Sequence, residues 1–172
     1  ERRLVLNVGA NPALLSSFLP RVLRRMGGGD AGVKYSFRTG IVDAMLEDLA
    51  EWRIDAYVGR IDWDRVPRDR AAAFRHKPLM RTDLVIVCPA AHPLAQRGAI
   101  RAQDLDGFDW ALPPPGSSNR LALEVRMKQL GLRPADCRFD VMGDPTALLH
   151  LSRELNLLTC VPRLPITQVR DP

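Results

Sequence analysis

Apolar positions along this chain switch repeatedly between short continuous runs, which suit a buried strand, and spacings of three and four, which suit one face of a helix. The run "LVLNVG" ends at Gly9 and reads as a strand. Behind it Leu14, Leu15, Phe18, Leu19, Val22, Leu23 and Met26 recur at helical spacing, with Arg21, Arg24 and Arg25 off the stripe. Asn11 stands as N-cap and Pro12 as first helical residue, where a missing N–H costs nothing. Pro20 lies inside the same stretch and removes the bond to residue 16, which predicts a kink. "GGGDAG" stops the helix and "VKYSFR" alternates as a strand.

The exchange then repeats. Ile41, Val42, Met45, Leu46, Leu49 and Trp52 lie at helical spacing, and "IDAYVG" returns to an apolar strand. Strands alternating with helices at this density predict a parallel sheet with crossover helices, an α/β fold. From Arg60 to Arg75 the chain is charged and irregular, after which "FRHKPLM" and "DLVIVCP" are expected as two strands about the turn Arg81 to Asp83. A short helical turn, a strand at Trp110 to Leu112, the loop "PPPGSS" and a helix closed by Gly131 follow, with Ser117 or Ser118 placed to cap that helix. "RFDVMG" is a strand, "DPTALLHLSREL" a helix with Asp144 as N-cap and Pro145 as first residue, and "NLLTCVP" the last clear strand.

With 172 residues, 46% of them hydrophobic, the chain can bury a core as one large domain or two small lobes. No apolar stretch is long enough for a membrane span, and "ERRLVLNVGA" lacks the apolar run of a secretory signal. Three cysteines without C-x-x-C spacing suit reduced thiols better than a disulfide framework or a zinc site. The compartment expected is the cytoplasm, with no membrane partner, no metal and no cofactor. The net charge of +5 comes from basic residues scattered along the chain, which permits an anionic partner without marking a nucleic-acid face.

Two sets of residues invite a catalytic reading. Cys88 and His92 resemble a nucleophile and base, but Cys88 ends an apolar strand and suits a small buried hydrophobe. His92 lies in a Pro-containing turn with no third group to orient it. Asp43, Glu47 and Asp48 fall on the polar face of an amphipathic helix, where solvation is the ordinary reason for acids. Neither set supports an enzyme. More informative is a device used repeatedly, in which a strand ends and hands over to a helix: Gly9 to Pro12, Thr39 to Gly40, Leu112 to Ser118, and Gly143 to Pro145. In a parallel sheet such helix N-termini gather at one edge, with unpaired N–H groups that suit an anion or a polar ligand.

The stretches "FLPRVLRRM", "GVKYSFRTG", "LEDLAEWRIDAYVG", "PLMRTDLVIVCPAAHPLA", "DLDGFDWAL", "GLRPADCRFDV" and "LNLLTCVP" together resemble the effector-binding domain of bacterial LysR-type transcriptional regulators. "HPLA" after an apolar strand is the most specific of these motifs. The resemblance implies the type 2 periplasmic-binding-protein fold, two Rossmann-like α/β lobes with a ligand cleft between them. It divides the chain into lobe I at residues 1–80, lobe II at 81–160 and a return to lobe I at 161–172, with crossovers near Arg81 to Asp83 and Val161 to Arg163. Effector contacts carried over by position are Ala10 and Asn11, Thr39 and Gly40, Pro113, Pro115, Gly116 and Ser117, and Met142, Gly143 and Asp144. His92 becomes a structural turn residue.

The effector implied is a small metabolite, a carboxylate or a sugar-like molecule. The assembly implied is a homodimer or homotetramer, with DNA reached only through an N-terminal winged helix-turn-helix absent from this sequence. A solute-binding protein of a transporter shares the fold and is the alternative reading. Three departures from the family pattern stand out. Trp52 occupies a position where the family often has glycine, "MGGGDAG" lacks the usual charged and aromatic residues, and a helix and strand expected between Arg163 and Leu164 are missing.

Overall fold

In a computed structural model, which describes residues 3–27 and 32–163, the chain divides after Arg81 into two units. The first unit holds a three-stranded parallel sheet in the order β2-β1-β3, built from β1 (Leu4–Ala10), β2 (Val33–Thr39) and β3 (Ala56–Val58). β1 leads into α1 (Pro12–Ser17) and α2 (Leu19–Arg25), and β2 into α3 (Val42–Ala50). The kink expected at Pro20 is a full break at Phe18: α1 stops there, and Pro20 falls in the first turn of α2, where it has no helical partner to lose. The apolar stripe of this helical pair is only partly covered, with Leu19 buried and Met26 exposed.

α3 packs on the central strand through Met45 and Leu46, both buried. The approach is close because Gly9 has no side chain. A Cβ there would come within 2.7 Å of Ile54 Cδ1 and 3.1 Å of Met45 Sδ. At the end of α3 the chain passes through Trp52 with φ +57°, a conformation that glycine adopts freely and a bulky residue does not. The residue that departs from the family pattern therefore sits where the backbone wants glycine, and its side chain stands 86% exposed.

After β3 the chain makes a turn at Trp63–Arg65 and the short α4 (Arg68–Ala72). The strand expected from "FRHKPLM" is not formed: residues 74–83 carry no ladder, and Arg75 to Arg81 are exposed. Pro78 has no N–H to give a ladder, and the polar Arg75, His76 and Lys77 leave no alternating apolar face to bury.

The second unit holds the order β4-β7-β5-β6, from β4 (Leu84–Val87), β5 (Asp109–Leu112), β6 (Asp136–Asp140) and β7 (Leu158–Pro162). β4 runs antiparallel to β7, while β5 is parallel to both β6 and β7. Each face of the sheet is covered by one helix. Trp110, Leu112, Leu158 and Cys160 pack with Leu123 and Met127 of α5 (Ser118–Gln129). Ala111 and Val161 pack with Leu148 of α6 (Pro145–Leu155). β7 continues through Pro162, and the Arg163 N–H donates to the Asp83 carbonyl at 2.9 Å, so the two predicted crossover points are tied to each other. The return segment from Leu164 to Pro172 lies outside the described residues. No helix among the described residues is long and apolar enough to cross a membrane.

Candidate ligand site

In the first unit the parallel register brings the predicted residues to one edge. Ala10 ends β1 and pairs with Thr39 at the end of β2 on one side and with Val58 on the other. Asn11 follows as N-cap: its Oδ1 accepts the Ala13 N–H at 3.0 Å, and its own N–H donates to Val58 at 2.9 Å. The cap leaves the amide NH2 of Asn11 as the group it can offer to a ligand. Thr39 is exposed, and Gly40 lies against the Met45 side chain, where a Cβ would come within 2.8 Å of Cε. Asp48 holds this edge from behind. Its carboxylate accepts from Arg53 at 2.5 Å and from Arg38, next to Thr39, at 2.8 Å, and these contacts hold its pKa below the usual carboxylate value.

Tyr57 belongs to the same neighbourhood and was not singled out from the sequence. Its ring lies beside Gly9 and its hydroxyl folds against Gly59, leaving no room for a Cβ there. The hydroxyl is buried without a hydrogen-bond partner, and burial pushes the phenol up to about 12. Glycine at two nearby positions was the available signal, since a large ring needs that space.

In the second unit the loops after β5 and β6 lie side by side. Leu112 pairs with Asp140, and the Val141 N–H donates to the Leu112 carbonyl at 2.8 Å. The first loop carries Pro113, Pro115, Gly116 and Ser117, with Gly116 at φ +83°, which gives that position a reason to be glycine. The second carries Met142, Gly143 and Asp144. Asp144 caps α6 as predicted, its carboxylate accepting the Thr146 N–H at 2.7 Å. Ser117 occupies the N-cap position of α5, but neither it nor Ser118 makes the expected side-chain cap. Both hydroxyls are buried without a partner. Two buried hydroxyls without partners thus lie at a helix start whose first N–H groups have no intrahelical acceptor.

Arg120, another residue the sequence reading passed over, joins the two loops. Its guanidinium bonds the Asp140 carboxylate, reaches the Pro113 carbonyl at 3.3 Å, and holds Glu124 at 2.9 Å. Burial works against its charge, but the two carboxylates outweigh burial and raise its pKa. The same contact depresses Asp140, while burial and then Asp140 push the neighbouring Cys137 thiol up. Its i,i+4 spacing to Glu124 was visible in sequence; the contacts to Pro113 and Asp140 were not.

The residues offered for catalysis do other work. His92 is 1% exposed; its Nδ1 accepts the Leu94 N–H at 3.1 Å and its ring packs on Phe108. Burial lowers its pKa. Burial also pushes the Cys88 thiol up, away from a reactive thiolate. Asp48 is paired as described, and Asp43 and Glu47 are exposed.

Comparison with known proteins agrees with this architecture. Residues 1–170 match the family model for the LysR substrate binding domain. The HTH-type transcriptional regulator GbpR of Rhizobium radiobacter is 26% identical over 155 residues, 90% of this chain and 49% of GbpR. The chain thus spans about half the length of the curated relative it matches. Among solved structures, the regulatory domain of CcmR from Synechocystis PCC6803, in complex with 2-PG, aligns with a TM-score of 0.79 at 17% identity, over 98% of this chain and 76% of that domain chain. The effector binding domain of QuiR, in complex with shikimate, aligns with a TM-score of 0.75 at 17% identity, over 94% of this chain and 75% of that domain chain. The likeness to these structures establishes the fold, two α/β units of the type 2 periplasmic-binding-protein kind.

Proposed function

The chain belongs to the LysR substrate binding domain family, and on that premise we propose that it is the effector-sensing part of a DNA-binding transcriptional regulator. Its ligand is a small polar metabolite, with contacts assigned to Ala10, Asn11, Thr39 and Gly40 of the first unit and to Pro113, Pro115, Gly116, Ser117, Met142, Gly143 and Asp144 of the second. The observation that carries this reading is the pair of orphaned hydroxyls, Ser117 and Ser118, buried at the start of a twelve-residue helix. A carboxylate or hydroxylated ligand supplies the missing partner and meets the positive end of α5. QuiR in complex with shikimate and CcmR in complex with 2-PG support a small organic ligand for this fold.

A ligand held by both units changes the balance between two arrangements of the lobes, residues 1–80 with 161–172 against 81–160, only by as much as its affinity for them differs. In a homodimer or homotetramer that change reaches DNA through a winged helix-turn-helix outside this sequence, in the cytoplasm. The naming of GbpR as a transcriptional regulator favours this reading over a transporter's solute-binding protein.

Thermal unfolding against a panel of carboxylic acids, sugars and amino acids, with shikimate and 2-PG included, is the test. One member stabilises the folded chain by RT ln(1 + [L]/Kd), about 2.7 kcal/mol at one hundred times Kd, and the melting temperature keeps rising with the logarithm of its concentration. The shift is lost in Thr39→Ala and Ser117→Ala, which keep cooperative unfolding. A ligand whose shift survives both substitutions places binding elsewhere and overturns the assignment.

A further inference from the structure

We propose that the second unit carries a separate binding site for a small monocarboxylic acid with an apolar tail, in a cavity beside β4. Among the described residues β4 is an edge strand, paired with β7 on one side alone. The helix α5 covers the neighbouring strands through Leu123 and Met127. Over β4 the cover comes instead from two single-turn 3-10 helices, Pro93–Gln96 and Ala102–Leu105, which contribute Leu94 and Leu105. Single turns carry too few side chains to fill the space above two strands. They leave a half-open cavity of about 260 Å³ lined by Ile86, Cys88, Leu94, Leu105 and Leu158. At roughly 30 Å³ for each atom and its surroundings, the cavity has room for about eight heavy atoms.

The walls set the chemistry of the occupant. None of the lining side chains presents a buried oxygen or nitrogen without a partner, so the part of the ligand inside must be apolar. Ile86 and Ile100 flank the cavity and stay 39% and 51% exposed, a large share for isoleucine in a folded unit. Arg101 is the one charged residue in the lining. Asp104 is the acid beside it, and that carboxylate is already engaged: it accepts the Arg101 backbone N–H at 2.7 Å and the Arg97 guanidinium at 2.6 Å. Among the described residues Arg101 forms no ion pair. An exposed arginine on the rim of an apolar cavity, its charge shared so far only at a distance with Asp104, can reach a carboxylate whose tail enters the cavity.

This site shares no residue with the loops assigned to the effector, so it stands or falls independently of that assignment. Hexanoate, with six carbons and a carboxylate, is a suitable probe, and Cys88 in the cavity wall is a built-in reporter. The chain is treated with N-ethylmaleimide at alkaline pH, and peptide mass mapping follows Cys88 and Cys137 separately. Hexanoate is expected to slow modification of Cys88 saturably, by about tenfold, leave Cys137 at its own rate, and raise the melting temperature. Hexanol at equal concentration protects less, and Arg101→Gln raises the half-saturating hexanoate concentration about tenfold. Ala102→Phe fills the cavity and abolishes protection; Arg101 is exposed, so its variant remains informative if Ala102→Phe does not fold. Cys88 modification and melting temperature that both ignore hexanoate up to about 100 mM overturn the proposal. So does protection equally strong with hexanol or in Arg101→Gln.

Discussion

Trp52 shows how a single backbone angle sets a stability effect that side-chain contacts conceal. At φ +57°, with its ring exposed, it bears the strain of a left-handed residue without packing to offset it. Trp52→Gly is expected to stabilise the first unit by about 0.5–1 kcal/mol, because relief of strain exceeds the added freedom of the unfolded chain. An increased urea midpoint at constant slope checks this. His92 makes the opposite case, a ring used wholly for structure. Its folded-state pKa lies below the ordinary 6.5, so its contribution is present above pH 6.5 and lost as pH falls through the lowered value. Stability of the chain should therefore decline on acidification in that range, and less steeply in His92→Asn, measured by denaturant titration at several pH values. Asn11 and Asp144 were legible as caps because each precedes a proline that can start a helix. Ser117 looked like a cap because it follows a loop whose prolines keep it out of the helix, but its hydroxyl is left unpaired.

Among the elements, strand-helix alternation in the first sixty residues carried the parallel sheet, because helical and strand periods are distinct and the turns are marked by glycine. "FRHKPLM" failed as a strand for the same physical reason that the others succeeded: without an alternating apolar face or a full set of N–H donors, nothing holds it in a ladder. Arg120 was illegible because its partners, Asp140 and the Pro113 carbonyl, are brought together only once β5 and β6 pair. Its side chain is 14% exposed but its partner Asp140 is 54% exposed, so Arg120→Met should lower stability only modestly, mainly by untying the two loops. The same variant should weaken effector binding through loss of loop order, whereas Glu124→Gln, at an exposed partner, should do little to either. Asp140, depressed by Arg120 and then by Cys137, adds to stability above its ordinary pKa and loses that contribution as pH falls through the lowered value, a dependence that should shrink in Arg120→Met.

For the molecule as a whole, the account depends on one ligand engaging both units, since only such a ligand couples binding to their arrangement. Family resemblance in sequence proposed the division into lobes and the loops involved, while the orphaned hydroxyls, the Arg120 tie and the cavity beside β4 needed coordinates. Hydrogen exchange with and without the ligand identified by thermal unfolding tests the claim most directly. The account predicts that a single equivalent slows exchange at both edges, in residues 11–15 and 40–44 of the first unit and in residues 116–121 and 143–147 of the second. Protection confined to one unit, with the other exchanging as in the free chain, would contradict it.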